Sequence, residues 1–283
     1  MKLPKRLEGM VHNGLIEQVI KRLTSGKEAD IYVVYSEGEY RCAKVYKEIT
    51  KRNFKKQSSY QEGRKVRNSR QGRAMEKRSK YGRKEIESAW QNAEVDALYK
   101  VAAIGVRVPE PYYCMDGVLL MELIIGENGE VAPRLQDLHL SEELAMDYFS
   151  QLIVDVMHML CAGIVHGDLS EYNVLVDSFG PVIIDLPQAV DAVNNNNAGK
   201  FLIRDLDNLR DFFSQYAPAL KKTEYGKEMW SIYKAGNLTP ETPLTGFFKQ
   251  SKKDINVKHV MEAIDEAREE AEFERQRKAI RSL

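Results

Sequence analysis

His166-Gly167-Asp168-Leu169-Ser170-Glu171-Tyr172-Asn173, followed by Val182-Ile183-Ile184-Asp185, is the stretch on which the reading of this 283-residue chain turns. Val174 to Val176 and Val182 to Ile184 are short β-type runs flanking the turn Asp177-Ser178-Phe179-Gly180. Two acids and an amide therefore stand at the edge of two short strands. Phosphoryl transfer needs a divalent cation to neutralise phosphate charge, and an oriented acceptor hydroxyl; Asp185 and Asn173 suit the cation and Asp168 the hydroxyl. The five-residue step from Asp168 to Asn173 lets both side chains enter one site without competing for the same ion. Either fragment alone reads equally well as a surface Asx turn or a buried strand end. Chance accounts poorly for the two together.

Upstream, Ala43-Lys44-Val45 places a lysine inside an apolar strand, where an unpaired ammonium is costly to bury. It is expected to meet the α- and β-phosphates of a nucleotide; the alternative is an edge-strand lysine facing water. A helix acid should orient it, with Glu94 the choice and Glu85, Glu87 and Asp96 in competition. The segment Thr24-Ser25-Gly26-Lys27-Glu28-Ala29 brings hydroxyls and backbone amides suited to covering phosphates, but it lacks repeated glycines and is not a Walker loop.

Around these points the pattern predicts a helix from about His12 to Leu23, carrying Leu15, Ile16, Val19, Ile20 and Leu23 on one face. Strands follow at Ile31–Tyr35 and Tyr40–Tyr46 across a turn at Ser36 to Glu39. A helix is expected at Ile86–Val101 and a strand at Val118–Leu123. A long helix begins at the cap Ser141, with Leu144, Tyr148, Leu152, Met159 and Leu160 inward, and ends at Gly163. Phe201 to Phe213 reads as helical, and a charged amphipathic helix is expected over Asp254 to Ile280, packing on the helical half or meeting a partner. Strands with one helix, then mostly helices, make an α+β chain of two lobes with a cleft between them: residues 1–121 a sheet-rich N-lobe, 122–283 a helical C-lobe.

Net charge is zero, from 42 basic and 42 acidic residues. Between Lys51 and Lys84, however, 14 Lys and Arg face two acids, so that segment carries +12 and the remainder −12. Its charge and few large apolar residues predict a mobile loop. Three scattered cysteines give no disulfide framework or zinc spacing, and the chain shows no signal peptide or membrane-length apolar run, so a cytoplasmic protein without membrane association is expected.

These motifs together resemble the RIO family of atypical serine/threonine kinases and ATPases, over residues 12 to about 216. The carriers are Thr-Ser-Gly-Lys-Glu-Ala at 24–29, Ala-Lys-Val-Tyr-Lys at 43–47, Val-Pro-Glu-Pro at 108–111, the His166–Asn173 loop and Ile-Ile-Asp-Leu-Pro-Gln at 183–188. The resemblance implies a protein-kinase-like fold, ATP with Mg²⁺ (Mn²⁺ as an alternative), a serine or threonine acceptor on a protein, and autophosphorylation. It places Ser25 and Lys27 near the phosphates, Lys44 on ATP with Glu94 as partner, Met121 and the backbone of Glu122 and Ile124 around adenine, Asp168 as catalytic base, and Asn173 and Asp185 on the metal. The aspartate matching Asp185 is also implicated in this family as a transient aspartyl-phosphate.

Residues 51–84 take the position of the family's flexible insertion. No Ala-Pro-Glu signature follows Asp185, which implies a truncated activation segment, and Gly167 stands where many protein kinases carry an arginine. Competence without activation-loop phosphorylation follows as an expectation. With about 23 residues before the phosphate loop, the similarity is to the subgroup lacking a winged-helix domain. Two other readings remain: a small-molecule kinase of the aminoglycoside or choline type, and an ATP-gated assembly factor binding RNA or ribosomal particles through the basic segment, where Tyr60 and Tyr81 offer stacking groups.

Overall fold

Glu37 and Gly38 both adopt positive φ, 51° and 83°, which closes the two-residue turn between β2 (Ala29–Ser36) and β3 (Glu39–Tyr46) in the twist that antiparallel strands favour. This hairpin is the centre of the sheet. The computed structural model describes residues 4–47 and 94–249. The expected basic loop at 51–84, the first residues of the helix at 86–101 and the helix at 254–280 fall outside them.

β1 (Gln18–Ser25) pairs with β2, and β3 pairs on its other side with β5 (Val118–Glu122), which pairs with β4 (Pro111–Met115), giving an antiparallel sheet of order β1-β2-β3-β5-β4. β3 is thus an interior strand, and the reading of Lys44 as an edge lysine facing water fails. Alternation along the strands separates two faces. Tyr32, Val34, Ala43, Val45, Val118 and Leu120 pack against Leu7 and Met10 of α1 (Lys5–His12), while Tyr46 and Leu119 join the core of the helical half.

Two expectations are corrected here. The helix expected at His12–Leu23 is instead the end of α1, a break at Asn13-Gly14 with Gly14 at φ 73°, and β1. The pairing of β1 with β2 shifts register twice, between Val19 and Lys21 and between Arg22 and Thr24. Val19 and Leu23 are the half-buried residues of β1; four apart, they match helical spacing, because i and i+4 share a face in a strand as well as in a helix. β4 was not anticipated: it begins at Pro111, two residues after Pro109, and a second positive-φ turn at Asp116-Gly117 folds it back on β5.

The helical half starts from α2, described over residues 94–103, and is built on α3 (Glu142–Cys161), α4 (Ala198–Phe213) and α5 (Tyr225–Lys234). Ser141 Oγ accepts from Leu144 N–H at 3.2 Å, capping α3 as its sequence predicts. The buried stripe of α3 is Ala145, Phe149, Leu152, Ile153, Val156, Met157 and Leu160, with Phe149 edge-on to Phe213 at 5.6 Å between ring centroids. Leu144, expected inward, is 38% exposed. α4 and α5 approach closely enough that a Cβ on Gly199 would lie 2.4 Å from the Trp230 ring.

Short pairs β6 (Ile164–Val165) with β9 (Val190–Asp191), and β7 (Val174–Asp177) with β8 (Gly180–Ile183), complete the lobe. By contacts the chain divides into Met1–Gly246, which holds every element above, and Phe247–Leu283. Among the described residues no helix is long and apolar enough to cross a membrane.

Phe149→Ala is expected to lower unfolding free energy by about 3–5 kcal/mol, and Leu144→Ala by under about 0.5 kcal/mol, in denaturant titrations. Equal losses would mean that the inward face of α3 has been misplaced.

Candidate active site

Lys44 is 7% exposed, and its ammonium is shared between two carboxylates. Its Nζ lies 2.5 Å from Glu94 Oε1 on α2 and also bonds Asp185 Oδ1, just beyond β8. The remaining oxygen, Glu94 Oε2, accepts from the Tyr46 hydroxyl at 2.7 Å. Glu94 is therefore the acid that meets Lys44, chosen by its position on the described part of α2. Burial pulls the proton affinity of Lys44 down, but Glu94 and Asp185 outweigh it and hold the lysine above its usual range, firmly charged. Removal from water likewise pushes Asp185 up, and the adjacent Lys44 more than reverses this. The Asp185 side chain remains 45% exposed, and its backbone sits at φ 71°, a conformation rare outside glycine.

Asn173 is brought beside Asp185 by the β7–β8 ladder: Val174 faces Ile183, and Ile184 N–H donates to Asn173 O at 3.0 Å. Asn173 Nδ2 donates to Asp168 O at 2.8 Å, so the loop between the two residues closes on itself. Gln188 Nε2 reaches Asp168 Oδ2 at 3.1 Å. Three of the residues singled out in the sequence, Lys44, Glu94 and Asp185, thus meet directly, with Asn173 joined through its backbone to the residue before Asp185 and Asp168 on the same loop as Asn173.

The loop's backbone is suspended from α4 and from a buried histidine. Gly167 N–H donates to Asp205 Oδ2 at 2.7 Å, Arg204 donates to Gly167 O, and Asn208 Nδ2 to Leu169 O at 3.1 Å. His166 Nδ1 accepts from Asp168 N–H at 3.3 Å, which leaves Nε2 to donate to Ile184 O at 3.1 Å. This requires the neutral ring, and burial agrees, lowering its pKa to about 4. Burial acts oppositely on Asp205, raising it to about 7 against the pull of Arg204 and the amides of Gly167 and Leu169.

Ser25 and Lys27 lie in the turn from β1 to β2. Lys47 Nζ reaches Ser25 Oγ at 2.9 Å, Gly26 O at 2.7 Å and Asp30 Oδ1 at 3.1 Å, so the loop is pinned from β3, while Lys27 is exposed. Glu28, on the same turn, is partly desolvated and close enough to Asp185 to have its pKa raised. A small cleft is lined by Lys44, Glu94, Leu98, Pro109, Leu119, Met121, Ile184, Asp185 and Leu186. At its rim Glu122 N–H donates to Glu110 O at 2.8 Å and Ile124 O accepts from Ala132 N–H at 2.9 Å. The Ile124 side chain packs away with Ala132 and Val182.

Sequence reasoning missed Tyr46, Lys47, Gln188 and the α4 residues Arg204, Asp205 and Asn208. The first three lie within quoted motifs, and Tyr46 shares the strand parity of Lys44. The α4 set carries no local signal.

Residues 30–225 match the family described as RIO domain. The chain is 30% identical over 213 residues to serine/threonine-protein kinase RIO1 of Homo sapiens, covering 75% of this chain and 36% of the human protein. It is 32% identical over 210 residues to the RIO-type serine/threonine-protein kinase Rio1 of Haloferax volcanii, covering 72% of this chain and 66% of that protein. To a probable serine/threonine-protein kinase RIO1 homolog of Encephalitozoon cuniculi it is 34% identical over 152 residues, covering 53% and 37%. The chain thus spans under half the length of these two eukaryotic relatives.

Asp205 and the α3 residue Asp155, both raised by burial to about 7, bind protons on folding, so their contribution is fully present below about pH 4 and is lost as pH rises through 7. His166, lowered to about 4, acts oppositely and removes stability as pH falls below about 6.5. Between about pH 4 and 7 the two aspartates outweigh the single histidine, so these three groups make the unfolding free energy fall as pH rises to about 7 and level off above it. Asp155→Asn should make that fall shallower while leaving the opposing contribution of His166 in place; an unchanged slope between about pH 4 and 7 in denaturant titrations would show that Asp155 is not a group responsible.

Proposed function

We infer that this chain, which belongs to the RIO family, transfers the γ-phosphoryl group of ATP to a serine or threonine hydroxyl of a protein. The observation that carries this reading is the junction at Lys44, where an ammonium from the sheet meets carboxylates from α2 and from the end of β8. ATP hydrolysis and autophosphorylation are proposed as activities of the same site.

Asp185 and Asn173 offer hard oxygen donors, few in number, on adjacent positions of the β7–β8 edge. That suits Mg²⁺, which takes one or two protein oxygens and keeps water and phosphate oxygens for the rest, so these two residues would hold it. When bound, such an ion neutralises the charge of the β- and γ-phosphates.

Lys44, oriented by Glu94, provides the fixed cation for the α- and β-phosphates. The β1–β2 turn, held by Lys47, sets the amides and hydroxyl of residues 25–27 over the same region. Met121 and the backbone of Glu122 and Ile124 border the space for adenine. Asp168 is exposed at the loop surface, where it accepts the proton of the incoming hydroxyl as oxygen attacks phosphorus and the bond to ADP breaks. Gln188 fixes one Asp168 oxygen with a neutral amide, which orients the carboxylate without cancelling its charge.

The free cysteines Cys42, Cys114 and Cys161 fit a reducing, cytoplasmic setting. The +12 charge of residues 51–84 favours a second, concurrent reading, in which that segment binds RNA or a ribosomal particle.

Asp168→Asn should reduce phosphotransfer by about 10²–10⁴-fold. Asp185→Asn and removal of divalent ions by a chelator should abolish it, with Mg²⁺ restoring the wild type but not the variant. Wild-type rates in both variants would refute the site. For the second reading, filter binding of single-stranded RNA should weaken steeply with salt in the intact chain and disappear on deletion of residues 51–84; unchanged binding after deletion would exclude it.

A further inference from the structure

Tyr46 stands two residues beyond Lys44 on β3, so both side chains leave the strand on the same face. Both are buried against α2, at 2% and 7% exposure, and they divide one carboxylate between them. Lys44 Nζ takes Glu94 Oε1 at 2.5 Å and the Tyr46 hydroxyl takes Glu94 Oε2 at 2.7 Å. The Lys44 ammonium lies 5.5 Å from the centroid of the Tyr46 ring, which walls the ion pair on that side.

Lys44 carries a second obligation, to Asp185. A lysine that reaches nucleotide phosphates must release part of this arrangement, and Asp185 is the partner with another use, as an oxygen donor to the metal. Glu94 then has to hold Lys44 by itself. A carboxylate fixed at one oxygen can swing about its side-chain torsions, and its helix can drift with it. One fixed at both oxygens from a single strand has its plane and distance defined. Because the phenol is a neutral donor, it fixes Glu94 without competing for the charge that attracts Lys44.

We propose that Tyr46 is a positioning residue: its hydroxyl locks Glu94, and through it α2, against β3, so that the Lys44–Glu94 pair stays assembled while Lys44 engages the nucleotide. This rests on the reading of Lys44 as the phosphate-binding lysine. It supplies from within the sheet the placement of a helix acid that other kinases can obtain from a phosphorylated loop.

The test uses the full chain with Tyr46→Phe, Glu94→Gln, the double variant, and Lys44→Met as control, each assayed with MgATP well below its thermal midpoint. Tyr46→Phe should lower kcat roughly tenfold, the scale of one hydrogen bond to a charged group. In the Glu94→Gln background the same change should cost less than about twofold, because the residue acts through Glu94. Amide hydrogen exchange over residues 94–103 should accelerate in Tyr46→Phe while exchange in α3 stays the same. Wild-type kcat in Tyr46→Phe, an undiminished loss in the Glu94→Gln background, or unchanged exchange in α2 would each overturn the proposal. If Lys44→Met also kept full activity, the failure would lie with the proposed function instead.

Discussion

One buried ammonium ties together the sheet, the helix beside it and the end of β8. Lys44 sits on an interior strand, and taking a charge out of water there costs several kcal/mol unless partners restore what hydration supplied. Its partners come from two other parts of the chain, Glu94 on α2 and Asp185 after β8, at sequence separations of 50 and 141 residues. The electrostatic need of one side chain therefore fixes the relative placement of three elements. The same arrangement leaves a cation and a carboxylate at the mouth of a cavity lined by Met121, Leu119 and Leu186, which is the disposition a nucleotide with a divalent ion requires.

The loop bearing Asp168 and Asn173 is held by a different device. Leu169 is buried in the core, and the backbone on either side of it is anchored through polar groups. Both the N–H and the C=O of Gly167 are engaged, by Asp205 and Arg204 of α4, while His166 links the loop to the strand that delivers Asp185. Gly167 adopts φ 79°, where a side chain would be strained. The residue that replaces the usual arginine of protein kinases thus has a backbone role of its own, and α4, distant in sequence, is the support on which the reactive loop hangs.

Much of the fold was legible because its signals are local. The β2–β3 hairpin, the Ser141 cap and the strands on either side of residues 177–180 follow from turn composition, capping and short-range alternation. The failures have equally definite causes. β1 was hidden because its half-buried apolar residues, Val19 and Leu23, stand four apart, a spacing that a strand and a helix both allow. β4 was hidden because Pro109 and Pro111 argue against a strand until β5 is there to pair with it. Leu144 lies about 100° around the helix from Ala145, off the stripe that Ala145, Phe149 and Val156 bury, and so faces outward.

By itself the sequence singled out the residues of the candidate site: an aspartate five residues before an asparagine, a further aspartate ending an apolar strand, and a lysine inside another strand. These are statements about residue types at short spacing, and short spacing survives without a fold. Only the tertiary structure decided who meets whom. It brought Glu94 to Lys44, gave Tyr46 and Gln188 their partners, and hung the loop of residues 166–173 on Asp205. Each of those contacts joins residues brought together by sheet order and helix packing, and a buried polar group accepts whichever partner the packing places within hydrogen-bond reach.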